Sequence, residues 1–147
     1  MKKILFIIIL LTVSCGYKPI YLNNDQLINK FNEVILEGNN EINRKIKNTL
    51  NFEKNTNNNQ KLIITTDYKI EVTSRNSKGQ VETYRSIINT QLIVKNGDEI
   101  LQTKNFILET SYNNNTNKFE LTKSQNQIKN NLLNRLIEEI ILYLSLV

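Results

Sequence analysis

The single cysteine, Cys15, is the residue best placed for covalent chemistry in this 147-residue sequence. It follows two lysines, an apolar run over residues 4–11, and then Thr12, Val13 and Ser14. A basic start, an apolar centre and small residues before the processing point describe an export signal. The position of Cys15 resembles a bacterial lipobox, in which the cysteine is acylated and becomes the first residue of the mature protein. Thr12 departs from that pattern, because leucine is usual there.

The apolar run before Cys15 is too short for a permanent transmembrane helix, which needs about 20 such residues. We therefore expect residues 1–14 to be a cleaved lipoprotein signal peptide. A plain secretory signal followed by a free thiol is the alternative, but an unpaired cysteine in an oxidising compartment is a liability. Gly16, in place of an aspartate, favours the outer membrane of a Gram-negative bacterium. Acylated Cys15 would then hold the chain to outer-membrane lipid on the periplasmic side.

Composition disfavours several classes of function. The chain has 19 basic and 14 acidic residues, a net charge of +5, with no histidine and no tryptophan. Loss of the two signal lysines leaves 17 basic against 14 acidic residues, a net charge of +3, which is too mild to indicate a nucleic-acid partner. Without histidine or a second cysteine, the chain lacks a Cys/His metal cluster, a His-activated nucleophile and a disulfide framework. We expect no catalytic residues, no metal and no cofactor.

Two long strands in the middle of the chain form a predicted hairpin. Residues 62–75 alternate between two sets of side chains, the even-numbered set being the more apolar, which is the period of a strand. Residues 77–79 form the loop, with Gly79 in the left-handed conformation, and a second strand covers residues 80–95. This register places apolar residues opposite one another and an acid opposite a base; its pairs are Leu62–Val94, Ile64–Leu92, Tyr68–Ile88, Val72–Tyr84 and Glu71–Arg85. A one-residue slip would reverse every face.

The second turn contains Asn96-Gly97 and leads to a strand over about residues 99–112. Asn-Gly is typical of a two-residue hairpin loop. However, an odd-length loop or a bulge is needed if Ile100 and Phe106 are to stay on the even-numbered face. We favour a three-residue loop beginning at Asn96, which would pair Val94 with Ile100.

Two helices are predicted around these strands. Residues 33–37 form a short strand, and a helix follows with its N-cap at Asn39 or the next residue. A second helix covers about residues 121–146, with Thr122 and Gln125 as a possible capping box. The main apolar stripes are Ile42, Ile46 and Leu50 in the first helix and Ile128, Leu132, Leu136 and Ile140 in the second. A membrane-surface helix is the alternative for the second, but its polar face is not rich in lysine.

These elements predict an α+β fold in the order β-α-β-β-β-α. Both helices need an apolar sheet face, and the even-numbered residues of the three long strands provide one. We therefore expect a two-layer sandwich: a mostly antiparallel four-stranded sheet with two helices packed on one face, in a single domain over residues 31–147. Residues 15–30 are expected to form a lipidated N-terminal tether, with Pro19 keeping its path extended and polar residues 23–32 as a linker.

The start of the expected mature chain resembles the LPS-assembly lipoprotein family, LptE. Its pattern is Cys-Gly-aromatic-x-Pro-aliphatic-Tyr, matched by Cys15, Gly16, Tyr17, Pro19, Ile20 and Tyr21. The order of predicted elements is similar to that family across essentially the whole mature chain. Thr12 and a somewhat short first helix depart from it.

The resemblance implies a non-catalytic partner of the LptD outer-membrane β-barrel. In that family the lipoprotein plugs the barrel, supports its assembly and assists insertion of lipopolysaccharide into the outer leaflet. Two other classes stay open: a periplasmic lipid-binding lipoprotein, working alone or as an auxiliary to an ABC-type transporter, and a small envelope hydrolase that uses carboxylates. The lack of histidine and of a free thiol disfavours the hydrolase.

Two surfaces are candidates for the contacts that the resemblance implies. A possible lipopolysaccharide-binding site comprises Arg75, Lys78 and Arg85, because arginine presents a fork that matches phosphate oxygens. The structural alternative is that Arg85 pairs with Glu71 and Lys78 keeps the turn soluble. The odd-numbered sheet face mixes aliphatic with uncharged polar residues, which suits a polar barrel lumen, although scattered surface aliphatics are common. Its possible barrel contacts are Ile63, Ile87, Ile93, Leu101 and Ile107.

Overall fold

Residues 30–146, described by a computed structural model, form six elements in the predicted order. They are β1 (Glu33–Gly38), α1 (Asn40–Leu50), β2 (Gln60–Arg75), β3 (Val81–Asn96), β4 (Glu99–Asn113) and α2 (Lys118–Leu146). The four strands form one sheet in the order β1-β2-β3-β4, with β1 parallel to β2 and the other pairs antiparallel. The predicted fold class is therefore confirmed. The expected signal peptide, and the tether with Cys15 up to residue 29, lie outside the described residues.

The first hairpin has the predicted register. All five expected pairs are observed: Leu62–Val94, Ile64–Leu92, Tyr68–Ile88, Val72–Tyr84 and Glu71–Arg85. Residues 77–79 form the loop, Gly79 has φ +77°, and the Asn76 amide donates to the Gln80 carbonyl across it at 2.9 Å. Pairing is irregular only around Ser74, near the end of β2. Matching apolar to apolar positions therefore identified the register correctly.

The second turn is shorter than we predicted. Asn96 pairs with Glu99, so only Gly97 and Asp98 lie in the loop. Gly97 has φ +60°, a conformation that glycine adopts without steric cost. The two-residue loop that is typical of Asn-Gly is therefore formed, and the predicted three-residue loop is wrong.

A bulge in β4 restores the alternation that the two-residue turn breaks. Leu101 is the extra residue, because Ile100 pairs with Lys95 and the next paired residue of β4 is Gln102. Ile100 therefore lies on the same face as Lys95 and is 56% exposed, contrary to its predicted place on the core face. Beyond the bulge the predicted face is correct, and Phe106 is buried.

Asparagine side chains begin both helices. The Asn39 side-chain oxygen accepts hydrogen bonds from two first-turn amides of α1, each at 3.1 Å. Asn117 does the same for α2, at 3.0 and 3.3 Å, so this helix begins at Lys118. The predicted Thr122–Gln125 capping box is wrong, because the Thr122 hydroxyl donates back to the Lys118 carbonyl inside the helix at 3.0 Å.

Both helices pack on the even-numbered face of the sheet, as predicted. The core contains Ile42, Ile46 and Leu50 of α1; Leu132, Leu133, Leu136, Ile137, Ile140 and Leu144 of α2; and Leu62, Ile64, Ile88, Leu92, Val94, Phe106 and Leu108 of the strands. Phe31, expected in a polar linker, is instead buried in this core just before β1.

The helices leave the far end of β2 uncovered. With 11 residues, α1 is about 16 Å long, whereas the 16 residues of β2 extend roughly 50 Å. Ile70 and Val72 lie on the core face but beyond the reach of α1. They are consequently 41% and 43% exposed.

Lys129 of α2 contacts both α1 and the sheet. Its ammonium lies 2.8 Å from the Glu41 carboxylate and 5.7 Å from the ring centre of Tyr68. The hydrogen bond from Lys129 lowers the pKa of Glu41, so the carboxylate stays ionised below the ordinary range of a glutamate. Since Glu41 is exposed, the pair contributes at most about 1 kcal/mol.

The connection between β1 and α1 passes very close to β2. The amide of Asn39 donates to the Thr66 carbonyl at 2.9 Å, and the Thr66 hydroxyl donates to the side-chain oxygen of buried Asn43 at 2.7 Å. Gly38, at this point, has φ +89°, and a Cβ there would overlap the Thr66 carbonyl oxygen. Glycine is therefore required twice over, for its conformation and for space.

We predict that Gly38→Ala lowers the free energy of unfolding by about 3 kcal/mol, because overpacking adds to left-handed strain. Gly79→Ala is the matched control: its φ is +77°, but nothing lies within 4 Å of the added Cβ. Only strain applies there, so the loss should be about 1 kcal/mol. Urea unfolding followed by circular dichroism measures both variants. Equal losses would contradict the overlap at Thr66.

Candidate functional site

The sheet has one face that neither helix covers. We call it the open face; it carries the odd-numbered side chains of the strands. Because paired residues share a face, the register aligns these side chains in rows across the sheet. One row is largely aliphatic and comprises Ile35, Ile63, Ile93 and Thr103. The next row is polar and comprises Glu37, Thr65, Gln91 and Asn105.

Four of the predicted barrel-contact residues are accessible on or beside the open face. Ile63 and Ile93 are half-buried neighbours in the aliphatic row. Ile107 is 69% exposed, and Leu101, the bulged residue, is 42% exposed. The row also contains Ile35, which the sequence prediction missed, since only the parallel register of β1 places it beside Ile63.

The fifth predicted contact, Ile87, is not accessible: it is 6% exposed, although no described helix covers it. Its neighbours on the two adjacent strands are Lys69 and Glu109, whose carbon stems can shield an aliphatic side chain. Arg85 lies 3.6 Å from Glu71 and 3.3 Å from Glu109, and Lys69 lies 2.7 Å from Glu71. Ile87 is thus flanked by a charged network, and its side chain is not available on the surface of this face.

Within this network, the carboxylate of Glu71 is held ionised. The hydrogen bond from Lys69 lowers its pKa, and Arg85 adds to the effect. A lowered pKa stabilises the fold above the unfolded-state pKa, and this contribution is lost as the pH falls through the folded-state value. Arg85 is therefore paired with Glu71 in the structure, which is the structural alternative that the sequence analysis gave for this arginine.

The three cations of the possible lipopolysaccharide site do not converge. Arg75 donates to the Gly79 carbonyl at 2.9 Å, and Lys78 is exposed in the same loop. Arg85 pairs with Glu71 on the neighbouring strand. Glu71 lies four residues before Arg75 on β2, so Arg85 and Arg75 are separated by about 13 Å along the strand direction. The structure therefore groups Arg75 with Lys78 at the hairpin tip and places Arg85 in the network.

A shallow depression of about 330 Å³ lies at the centre of the open face. The open-face side chains that line it are Thr65, Asp67, Asn89, Gln91, Asn105 and Ile107. The Gln91 amide donates to the Asn105 side-chain oxygen at 3.3 Å. Apart from Asp67, these groups are uncharged, so this part of the face can exchange hydrogen bonds without presenting a fixed charge.

Residues 30–146 contain no group of three or more His, Cys, Asp or Glu side chains that could hold a metal ion. Three carboxylates, of Glu33, Glu41 and Glu71, have lowered pKa values because lysines donate hydrogen bonds to them. A carboxylate that acts as a general acid needs the opposite shift. In this part of the chain, no helix is both long and apolar enough to cross a membrane.

Comparison with known proteins gives a structural likeness without a sequence match. No protein-family model matches the chain, and a search of curated proteins finds no match. Rare lipoprotein B from Shewanella oneidensis superposes with a TM-score of 0.61 at 14% identity, over 78% of this chain and 94% of that one.

Two further solved structures are similar. A minor lipoprotein from Acinetobacter baumannii has a TM-score of 0.55 at 14% identity, over 78% of this chain and 91% of its own. Lipoprotein B from Nitrosomonas europaea has a TM-score of 0.58 at 10% identity, over 75% and 79%. At these identities the likeness shows a shared fold, so the β-α-β-β-β-α sandwich is one that several lipoproteins adopt.

Proposed function

We propose that the chain is a non-catalytic outer-membrane lipoprotein that plugs an LptD-type β-barrel, supports its assembly and assists lipopolysaccharide insertion into the outer leaflet. The open face carries this proposal, since it is a long sheet surface that neither α1 nor α2 covers. The fold shared with rare lipoprotein B and the minor lipoprotein supports the lipoprotein part. The motif around Cys15 supports the lipid anchor.

The composition of the open face favours a barrel lumen over bulk water. The interior of a large outer-membrane barrel is polar and lined by alternating strand side chains. The open face offers uncharged amides and hydroxyls beside the aliphatic row of Ile35, Ile63 and Ile93. Its charges near Ile87 are paired with one another. Contact with a barrel would therefore leave few unpaired charges to be desolvated.

A lipid-binding lipoprotein, acting alone or as an auxiliary to an ABC-type transporter, is the second candidate. It predicts a monomer that carries extracted lipid, whereas a plug predicts a barrel-sized protein that co-purifies with the chain. Purification from the native membrane separates the two. An envelope hydrolase would instead require turnover that a single carboxylate substitution abolishes.

We predict that Cys15 is acylated and is the first residue of the mature protein. Mass spectrometry of the membrane-extracted chain should find a blocked N-terminus at Cys15 with the mass of attached acyl groups. Cys15→Ser should leave residues 1–14 uncleaved, because the thiol is the acceptor. Intact residues before an unmodified Cys15 in the wild-type protein would contradict the anchor.

The barrel contact is tested by charging the open face. Ile63→Lys, Ile93→Lys and Ile107→Lys together should lower recovery of the barrel with the tagged lipoprotein at least tenfold, because a buried unpaired ammonium is costly. Ile87 is left unchanged because it is buried. Ile107→Lys alone, at the most exposed of these positions, keeps the test valid if the triple variant unfolds.

The matched control for this test adds the same three charges to the exposed side of α2, with Asn126→Lys, Asn130→Lys and Asn134→Lys. This variant should recover the barrel normally. Circular dichroism checks that both variants are folded. Normal recovery with the folded open-face variant would place the contact elsewhere on the molecule.

Lipopolysaccharide contact is tested at the hairpin tip. Arg75→Gln with Lys78→Gln should weaken binding of purified lipopolysaccharide about tenfold, because two phosphate partners are lost. Adding Arg85→Gln should have a smaller effect, since Arg85 is already paired with Glu71 and Glu109. Unchanged affinity in both variants would leave only structural roles for these cations.

A further inference from the structure

A groove runs along the edge of β1 that pairs with no other strand of the described sheet. It has a volume of about 680 Å³ and lies between β1, α1 and residues 52–54 after α1. This volume is within the range of about 300–1,000 Å³ that is usual for small-molecule sites. The apolar part of its lining is Phe31, Val34, Leu36 and Phe52, of which Phe31 belongs to the core and the others pack against it.

Three cations around this groove have no ion-pair partner within residues 30–146. Arg44 and Lys47 lie one turn apart on α1, and Lys54 lies in the segment after it. None of them is within 4.0 Å of a carboxylate, unlike Lys61, which is 2.8 Å from Glu33 in the same lining. Glu53 is the only other acidic residue among the described residues of the lining, so these residues carry an excess of positive charge.

A nearly buried amide also belongs to the lining. Asn43 is 6% exposed, and its side-chain oxygen accepts the hydrogen bond from Thr66. Its side-chain nitrogen donates no hydrogen bond to any residue of the described part of the chain. This nitrogen is not itself enclosed, so it can donate a hydrogen bond to a ligand oxygen in the groove.

We propose that this groove binds a single-chain anionic amphiphile. Its acyl chain lies on the apolar floor, its carboxylate or phosphate group pairs with Arg44, Lys47 and Lys54, and Asn43 donates a hydrogen bond to it. A free anion would leave the floor unused, and a neutral lipid would leave the cations unpaired. The groove shares no residue with the open-face contacts or with the hairpin tip, so this proposal stands whether or not the barrel role is correct.

Dodecyl phosphate, below its micelle concentration, is the probe. The titrated protein is the chain from residue 15 with Cys15→Ser, which keeps every core residue from Phe31 to Leu144. Calorimetry should detect binding of dodecyl phosphate and at least tenfold weaker binding of both dodecanol and inorganic phosphate. Because the cations are exposed, affinity should also fall as salt rises.

The charge-neutral variant Arg44→Gln, Lys47→Gln and Lys54→Gln should bind dodecyl phosphate about tenfold more weakly. The matched control removes three exposed cations from α2 with Lys118→Gln, Lys123→Gln and Arg135→Gln, and should bind it normally. All six positions are solvent-facing or at the groove rim, and thermal unfolding confirms that both variants are folded.

Four results would overturn the proposal. They are equal affinity for inorganic phosphate, equal affinity for dodecanol, equal weakening in the control variant, and no binding of any amphiphile. If no amphiphile binds, an extended acidic peptide should be tested. Binding of this peptide to the wild-type protein, and its loss in the variant of Arg44, Lys47 and Lys54, would show that the edge of β1 receives a strand from a protein partner instead.

Discussion

Side-chain alternation along β2, β3 and β4 is the constraint on which the rest of the structure depends. A strand places every second side chain on the same face, and the core residues of these three strands all occupy even-numbered positions. An uncompensated shift of one residue would expose that core and bury the network of Lys69, Glu71, Arg85 and Glu109. The bulge at Leu101 follows from this constraint, because the two-residue turn breaks the alternation and one extra residue restores it.

Much of the fold could be predicted because its signals are local, but conflicts between local rules could not be resolved from the sequence. At Asn96-Gly97 the favourable two-residue turn would place the apolar residues of β4 on the wrong face. Whether the chain forms a bulge or a longer loop depends on the relative free energies of the two, which the sequence does not give. Asn117 and Thr122 are both acceptable helix caps. A start at Thr122 would unravel the turn that carries Leu121, which is buried, so packing selects Asn117.

The candidate surfaces were less predictable, because they depend on contacts between distant segments. Ile35 joins the aliphatic row only because β1 is parallel to β2, in a register compatible with the close passage of Gly38 at Thr66. Ile87 is buried although its face is open, since long side chains flank it on both adjacent strands. The cations of α1 look like an ordinary solvated face in the sequence, and nothing there indicates that β1 is an edge strand.

The described part of the chain uses its cations in two different ways. On the open face, Lys69 and Arg85 are neutralised by carboxylates, which limits the desolvation cost of a contact with another protein. At the edge of β1, Arg44, Lys47 and Lys54 have no such partner and keep a positive potential that attracts anions. Charges on an edge strand also prevent edge-to-edge aggregation, and Glu33 provides such a charge on β1. Edge protection does not account for Arg44, Lys47 and Lys54, because these residues are not on the strand that needs protection. They belong to α1 and the segment after it, and they lie around the apolar floor of the groove.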